Sequence, residues 1–335
     1  MSKITIGTLA NRLGLSKATV SKALKDSYEI SSETKKKVLS LASDLNYVPN
    51  PYASGLRSRK SKTIAVVLPE IADNFFALAI NGIQSVAAAK NYHVLIYLSH
   101  ENFENEKDIL SQCASGRVDG ILISVSNETT ETAHLDKVRS KSIPLVFFDR
   151  TIESFPSPKV LTNDYECGIM AAKHLLEKGC HYPIFLSLSD RLSICQKRSQ
   201  GFINTLHKMG FPGSKQMHFV IDNAESDGNV IVQLRNIFKA HPRIDGIVAS
   251  VEKIAIQIYF LGLNIPKDLK IIAFSALQTA SILNPPLSTI SQPAFEMGKN
   301  AAEILFSMIE RRKKTVPDDF IMTIPSVLVE RASTQ

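Results

Sequence analysis

The sequence lacks the segments that direct a chain into or across a membrane. No apolar run approaches the ~20 residues that a spanning helix needs, and the opening MSKITIGTLA contains no long apolar segment typical of a secretory signal. Four cysteines, Cys113, Cys167, Cys180 and Cys195, occur without a CxxC pair or other ligand spacing. We therefore expect idle or buried thiols, no structural metal site and a cytoplasmic protein.

Local motifs of enzyme chemistry are also missing. The glycines never fall as GxGxxG or GxxxxGK, and neither GxSxG nor HExxH occurs. The sequence therefore predicts no catalytic residue, no cofactor and no metal. An enzyme remains an open alternative only because catalytic groups can be assembled from distant positions.

The positive charge is concentrated near the start of the chain. Of 335 residues, 44% are hydrophobic and 21% charged, which is typical of a globular protein of two or three domains. The formal net charge is +7, but residues 1–62 alone carry +8 and the remainder −1. This distribution indicates a small polyanion-binding unit on a nearly neutral body.

Three short helices are predicted in the first 48 residues. Apolar residues at helical spacing indicate a first helix over 5–13, which Gly14 ends. Ser16 is placed to cap a second helix, and Ser31 a third. Two short helices joined by a tight turn, with a third across them, form a helix-turn-helix pattern. Residues 49–62 are predicted to be a connecting segment.

A different pattern begins at residue 63. Short apolar runs typical of buried strands alternate with amphipathic helical stretches, which predicts parallel sheets with helices on both faces. About 270 residues favour two lobes with a cleft between them. The predicted strands are Ile64–Leu68, Val94–Leu98, Gly120–Val125, Leu145–Phe148, Ile184–Leu188, Gly246–Ser250 and Ile271–Phe274, and the helices include Phe75–Lys90, Glu166–Lys178, Ser199–Met209 and Phe295–Arg311.

Polar residues cluster early in the second predicted helix, where a recognition helix enters the major groove. Lys17 and Lys22 could reach guanine or phosphate, and Ala18 could contact a thymine methyl group. The hydroxyls of Ser16, Thr19 and Ser21 could donate to phosphate oxygens. A merely solvated helix face is the alternative, and the local charge disfavours it.

Sequence motifs along nearly the whole chain resemble the LacI/GalR family of transcriptional regulators. In the head they include Gly14-Leu15-Ser16, Thr19-Val20-Ser21-Lys22-Ala23-Leu24 and Leu45-Asn46-Tyr47-Val48-Pro49-Asn50. The body adds Asp73-Asn74-Phe75-Phe76, Phe148-Asp149-Arg150 and the closing Val329-Glu330-Arg331-Ala332-Ser333-Thr334. The resemblance implies an all-α DNA-binding head (1–48), a hinge helix and linker (49–62) and a two-lobed, periplasmic-binding-protein-like body (63–335).

The resemblance also implies a set of DNA contacts. Leu56 matches the hinge leucine that the family inserts into the minor groove, where an apolar wedge kinks the duplex. Lys22 stands where the family usually has arginine, so a forked contact becomes a single ammonium contact. The implied DNA-binding residues are Thr5, Ser16, Lys17, Ala18, Thr19, Ser21, Lys22, Lys25, Asn50, Ala53, Leu56 and Arg57.

The implied effector site lies between the lobes, one built from 63–161 with 293–320 and the other from 162–292 with 321–335. Its residues are Phe75, Phe76, Asp149, Arg150, Arg198, Ser275 and Gln292. Core packing is the alternative for the two phenylalanines, and an ion pair between the lobes is the alternative for Asp149 with Arg150. Ser275 stands where the family often has an acid.

The expected protein is a homodimeric, sequence-specific regulator, most often a repressor in this family. It would bind a pseudo-palindromic double-stranded operator and respond to a small effector, expected to be a sugar or sugar derivative. No heptad tail follows the closing motif, which favours a dimer over a coiled-coil tetramer. The alternative is an architectural DNA-binding dimer with a degenerate cleft.

Overall fold

The computed structural model describes residues 4–47, 61–71, 74–211, 213, 217–221, 227–310 and 316–335. The chain divides into two compact units, Met1–Ser61 and Lys62–Gln335. Nearly all of the predicted hinge and linker lies outside the described residues. No helix among the described residues is long and apolar enough to cross a membrane.

The first unit contains the three predicted helices: α1 (Ile6–Leu13), α2 (Lys17–Leu24) and α3 (Ser32–Asp44). Gly14 adopts φ +63°, a left-handed conformation that glycine tolerates best, and it turns the chain between α1 and α2. The hydroxyls of Thr5, Ser16 and Ser31 cap the three helices. Leu9, Val20 and Val38 form the fully buried centre of the unit.

The second unit contains two sheets of six strands. In the first sheet every neighbouring pair is parallel, in the spatial order β11-β5-β4-β3-β1-β2. Its strands are β1 (Thr63–Leu68), β2 (His93–Leu98), β3 (Ile121–Ile123), β4 (Leu145–Phe148), β5 (Lys159–Thr162) and β11 (Ile321–Ile324). Its helices are α4 (Asn74–Ala89), α5 (Phe103–Gln112), α6 (Ala133–Ser140) and α11 (Ala294–Ile309). We call this part the N-lobe.

The second sheet has the order β12-β10-β9-β8-β6-β7, and among the described residues β10–β12 is its one antiparallel pair. Its strands are β6 (Pro183–Ser187), β7 (His218–Val220), β8 (Gly246–Ala249), β9 (Lys270–Phe274), β10 (Ser288–Ser291) and β12 (Val327–Val329). Its helices are α7 (Asp164–Glu177), α8 (Ser193–Lys208), α9 (Asp227–Ala240) and α10 (Glu252–Tyr259). We call this part the C-lobe.

The chain passes between the lobes three times. The first crossing follows β5 and the second follows β10. The third was predicted near residue 320, which is wrong by about one strand, because Ile321–Ile324 pairs with Lys159–Thr162 in the N-lobe. The chain reaches the C-lobe at Val327–Val329, so the crossing lies between these two short strands.

Two helices of the C-lobe approach each other unusually closely. A Cβ on Gly168 of α7 would lie 2.0 Å from the Arg198 carbonyl oxygen, and one on Gly201 of α8 would lie 2.1 Å from the Tyr165 carbonyl oxygen. Only glycine allows this backbone contact. The contact fixes the start of α7 beside the first turns of α8, where Asp164 and Arg198 are found.

Candidate functional site

The exposed face of α2 carries the polar residues predicted to read DNA. Val20 and Ala23 face the core of the unit, whereas Lys17, Ala18 and Lys22 are exposed. The Ser16 hydroxyl accepts from the Thr19 backbone N–H at 3.0 Å and lies 2.9 Å from the Thr19 hydroxyl. Ser16 therefore caps the start of the helix. Lys17 and Lys22 are the exposed, positively charged side chains that α2 offers to DNA.

Other predicted DNA contacts have different surroundings. The Lys22 ammonium forms an ion pair with Glu29, which lies in the loop after α2. Thr5 caps α1 and exchanges hydrogen bonds with Thr8, Ser21 is half-buried, and Lys25 is exposed. Asn50, Ala53, Leu56 and Arg57 lie outside the described residues, so the predicted hinge contacts and minor-groove wedge stay predictions.

The N-lobe side of the cleft carries an acid–arginine cluster at the end of β4. Asp149 adopts φ +61° and is buried. The Arg150 Nη1 donates to both Glu101 carboxylate oxygens, at 2.7 and 2.9 Å. Arg150 Nε lies 3.9 Å from Asp149 Oδ2 and, although buried, has no hydrogen-bond partner. Arg150 is therefore held within its own lobe, and the alternative of an ion pair between the lobes is not what the structure contains.

The C-lobe side is built around Arg198, which is only 2% exposed. Its Nε donates to Asp164 Oδ1 at 2.7 Å, and its Nη1 donates to the Ser250 carbonyl oxygen at 3.0 Å. The guanidinium carbon lies 4.2 Å from the centre of the Phe274 ring. Arg198 Nη2 and Ser250 Oγ are buried without a hydrogen-bond partner, which is unusual because burying an unsatisfied polar group is costly.

The two clusters influence each other across the cleft. Burial opposes the charged form of each guanidinium, but the carboxylates outweigh it and raise the pKa of both arginines. Glu101 and Asp149 do so for Arg150, and Asp164 and Asp149 for Arg198. Burial also raises the pKa of the Cys195 thiol, although Arg198 and Arg150 oppose this shift. Charged groups from both lobes therefore surround one site.

The two phenylalanines predicted to stack on a ligand are buried below the surface of the cleft. Phe75 and Phe76 are 5% and 2% exposed and belong to the hydrophobic core of the N-lobe. Phe76 packs edge-on against Phe148, and Arg150 covers it with its guanidinium carbon 5.9 Å from the ring centre. This burial favours the packing alternative over stacking on a ligand.

Ser275 already has two partners. Its hydroxyl donates to Glu252 Oε2 at 2.7 Å and accepts from the Leu277 backbone N–H at 2.9 Å. Asn74 of the N-lobe donates to the other Glu252 oxygen at 3.0 Å, so Glu252 joins the two lobes. Gln292 is half-buried on the crossover after β10.

The sequence prediction missed several cleft residues. Glu101, Asp164 and Glu252 are the acidic partners of the predicted residues, and both arginines act on the buried Cys195 thiol. The sequence placed Asp164 next to a predicted crossover, which is a usable signal. Nothing in the spacing links Glu101 to Arg150, because Glu101 follows β2 and Arg150 follows β4, and β3 and β1 lie between these strands in the sheet.

The site lies where parallel sheets usually bind ligands. Arg150, Ser250 and Ser275 each follow the carboxyl end of a strand, beside the crevice that open α/β sheets offer. Within the described ranges no group of His, Cys, Asp or Glu side chains is arranged to hold a metal ion. A helix-turn-helix unit and a two-lobed body with a polar cleft define a ligand-responsive DNA-binding regulator.

Known proteins agree with this class. Residues 5–50 match the family described as "Bacterial regulatory proteins, lacI family", and residues 61–330 match "Periplasmic binding proteins and sugar binding domain of LacI family". The chain therefore belongs to the LacI family and is a DNA-binding transcriptional regulator.

Among its relatives is the ribose operon repressor of Bacillus subtilis (strain 168), 30% identical over 314 residues and 92% of both chains. The catabolite control protein A of Priestia megaterium is 27% identical over 339 residues and 99% of both chains. A lac repressor dimer bound to operator and the anti-inducer ONPF has the same fold. Its TM-score is 0.83 at 19% identity, with 99% of both chains covered.

Proposed function

We propose that the protein is a cytoplasmic repressor that binds a pseudo-palindromic operator as a homodimer. A sugar or sugar derivative in the cleft between the lobes sets its operator affinity. The observation that carries the sensor part is Arg198, a buried guanidinium with an unused N–H beside an equally unpartnered Ser250 hydroxyl. A relative named ribose operon repressor, and a regulator of the same fold from Enterococcus faecium with bound ribose, support a carbohydrate ligand.

Exposed apolar side chains support the dimer. Strand β2 ends the N-lobe sheet, and Leu95 and Ile96 on it are 40% and 37% exposed. In the C-lobe, Phe260 and Ile282 are 70% and 77% exposed. Exposed apolar surface and an open sheet edge are features that a partner subunit covers. Two heads in such a dimer read two half-sites.

The DNA-reading part is tested by selecting operators from a randomised double-stranded library with the full chain. We expect an enriched sequence with two inverted half-sites. Lys22→Ala should relax the preference at one position in each half-site and cost about 1–3 kcal/mol of binding, as loss of a base contact does.

The matched control for this test is Lys36→Ala, which removes another exposed lysine, one that lies on α3. It should lower the affinity for all sequences by a similar factor, or not at all. If Lys22→Ala lowers the affinity for all sequences by a similar factor, Lys22 contacts only phosphate, and if it has no effect, Lys22 does not contact DNA. If no sequence is enriched, the protein does not act as a sequence-specific regulator.

A further inference from the structure

The exposed face of α2 carries an acid that the predicted DNA contacts did not include. Lys22 lies on this face and forms an ion pair with Glu29, seven residues further along the chain. Two other acids of the same unit, Asp26 and Glu33, form ion pairs with lysines of α3. Glu29 therefore places a negative charge on the helix face that we expect to meet DNA.

The loop after α2 holds Glu29 beside Lys22. The Ser27 backbone N–H donates to the Lys22 carbonyl oxygen at 3.0 Å, so the chain folds back along the end of α2. The Ile30 backbone N–H donates to the Ser27 carbonyl oxygen at 3.2 Å, and the Ile30 side chain packs against the core of the unit. The carboxylate of Glu29 thus approaches α2 from a short loop that is anchored on both sides of it.

Both members of the ion pair keep hydrogen-bonding capacity for a further partner. A lysine ammonium has three donors, and an ionised carboxylate has about four acceptor positions. The contact between Lys22 and Glu29 uses one donor and one acceptor position. The two side chains are 50% and 47% exposed, so the edge of a base can reach both of them.

A G·C base pair presents the complementary groups in the major groove. Guanine offers the acceptors O6 and N7 side by side, and cytosine offers the N4–H donor. Guanine O6 and cytosine N4 are hydrogen-bonded to each other, so they lie about 2.9 Å apart. A contact between an ammonium and a carboxylate has nearly the same length, about 2.8 Å. An ion pair of this kind therefore matches both the chemistry and the spacing of the base pair.

The same ion pair fits an A·T base pair less well. Thymine O4 and adenine N6 also place an acceptor beside a donor. However, the thymine methyl group would then lie beside the ammonium, and the adenine N7 acceptor would lie beside the carboxylate. Where a base pair offers the carboxylate no donor, nearby acceptors and phosphates repel it. The acid thus penalises binding to the wrong sequence, which is one of the two routes to specificity.

We propose that Lys22 and Glu29 act as one unit that reads a single G·C base pair in each half-site. Lys22 donates to guanine O6 and N7, and Glu29 accepts from the N4–H of the paired cytosine. Glu29 is a specificity-determining residue of the DNA-binding unit. The inference rests on the proposed operator-binding function and specifies one base pair of that operator.

The first test uses the operator that the full chain enriches from the random library. The position at which Lys22→Ala relaxes the preference should be a G·C pair. If another base pair occupies that position, or if Lys22→Ala relaxes no position, the proposal is wrong while sequence-specific binding stands. If no sequence is enriched, sequence-specific binding itself fails, and the proposal fails with it.

Modified bases in this operator test the two contacts separately. N4-methylcytosine still pairs with guanine, but its methyl group replaces the N4–H that faces the major groove. It should weaken the unchanged chain about tenfold or more, as loss of a base contact does, and Glu29→Ala by at most about twofold. 7-Deazaguanine, which lacks the N7 acceptor, should weaken both of these proteins but not Lys22→Ala. Fluorescence anisotropy measures each Kd.

Glu33→Ala is the matched control, because it also removes an exposed glutamate that is paired with a lysine, but on α3. N4-methylcytosine should weaken this variant as much as it weakens the unchanged chain. Glu29→Ala should bind DNA of random sequence at least as tightly as the unchanged chain, which shows that its DNA-binding unit is folded. If N4-methylcytosine weakens the two variants equally, or does not weaken the unchanged chain, Glu29 does not read the cytosine.

Discussion

At the scale of single residues, the cleft depends on a buried ion pair. Arg198 and Asp164 have side chains only 2% and 4% exposed, and their contact is 2.7 Å. Removing one partner of such a pair leaves an uncompensated buried charge, which typically costs about 3–5 kcal/mol. Exposed pairs contribute far less, because water and salt screen them.

Asp164→Ala should therefore lower the free energy of unfolding of the body by about 3–5 kcal/mol. Asp318→Ala, which removes an exposed partner of Arg139, should cost at most about 1 kcal/mol. Urea unfolding of the two variants measures both values. Equal losses would mean that Arg198 does not depend on Asp164 for its charge compensation.

The roles of residues that follow from local chemistry were predictable from the sequence. The roles that depend on contacts between distant parts of the chain were not. Gly14 indicates a turn because glycine tolerates a left-handed conformation. Ser16 and Ser31 indicate helix starts because their hydroxyls accept hydrogen bonds from backbone N–H groups. Glu252 and Glu101 become functional candidates only after folding, because each meets partners on other loops. Phe75 and Phe76 were predicted as ligand contacts but are buried in the hydrophobic core of the N-lobe. The sequence of an aromatic pair does not show whether the pair will be buried.

At the scale of elements, buried parallel strands were the most predictable features, because both of their faces are apolar. All seven predicted strands are present, whereas five others were not predicted as strands: β5, β7, β10, β11 and β12. The predicted helix Ser199–Met209 begins six residues earlier, at Ser193. Leu192 precedes it without a side-chain cap, so the sequence contains no start signal there.

The close contact of α7 with α8 is an element-scale requirement for the cleft. Gly168→Ala would force a Cβ against the Arg198 carbonyl oxygen and separate the helices. Overpacking of this kind typically costs about 1–3 kcal/mol, and here it should also weaken ligand binding because Arg198 moves. Thermal unfolding measures the loss of stability. Calorimetric titration with a sugar that the unchanged protein binds measures the loss of ligand affinity.

Gly228→Ala is the control for that variant. Gly228 is an exposed glycine in α9 with nothing within 4 Å of an added Cβ. Alanine is a better helix former, so this change should leave stability equal or raise it by about 0.5–1 kcal/mol. A Gly168→Ala protein as stable as Gly228→Ala would show that the two helices can separate without cost.

At the scale of the whole molecule, charge and function are divided between the two units. The positive excess lies in residues 1–62, and the remainder is nearly neutral. The second unit is two-lobed, and three chain crossings connect its lobes among the described residues. A regulator of this kind works because ligand and DNA favour different arrangements of the same chain.

The most direct test of this account is the operator affinity of the full chain with and without its sugar. The operator is the sequence enriched from the random library. Fluorescence anisotropy measures the Kd of the protein for this operator, once without the sugar and once with the sugar at a saturating concentration. Coupling between two sites typically changes affinity about 5–150-fold, so we expect a shift of at least fivefold. The operator should change the sugar affinity by the same factor. A sugar that binds the cleft while the operator Kd stays within twofold would contradict the account.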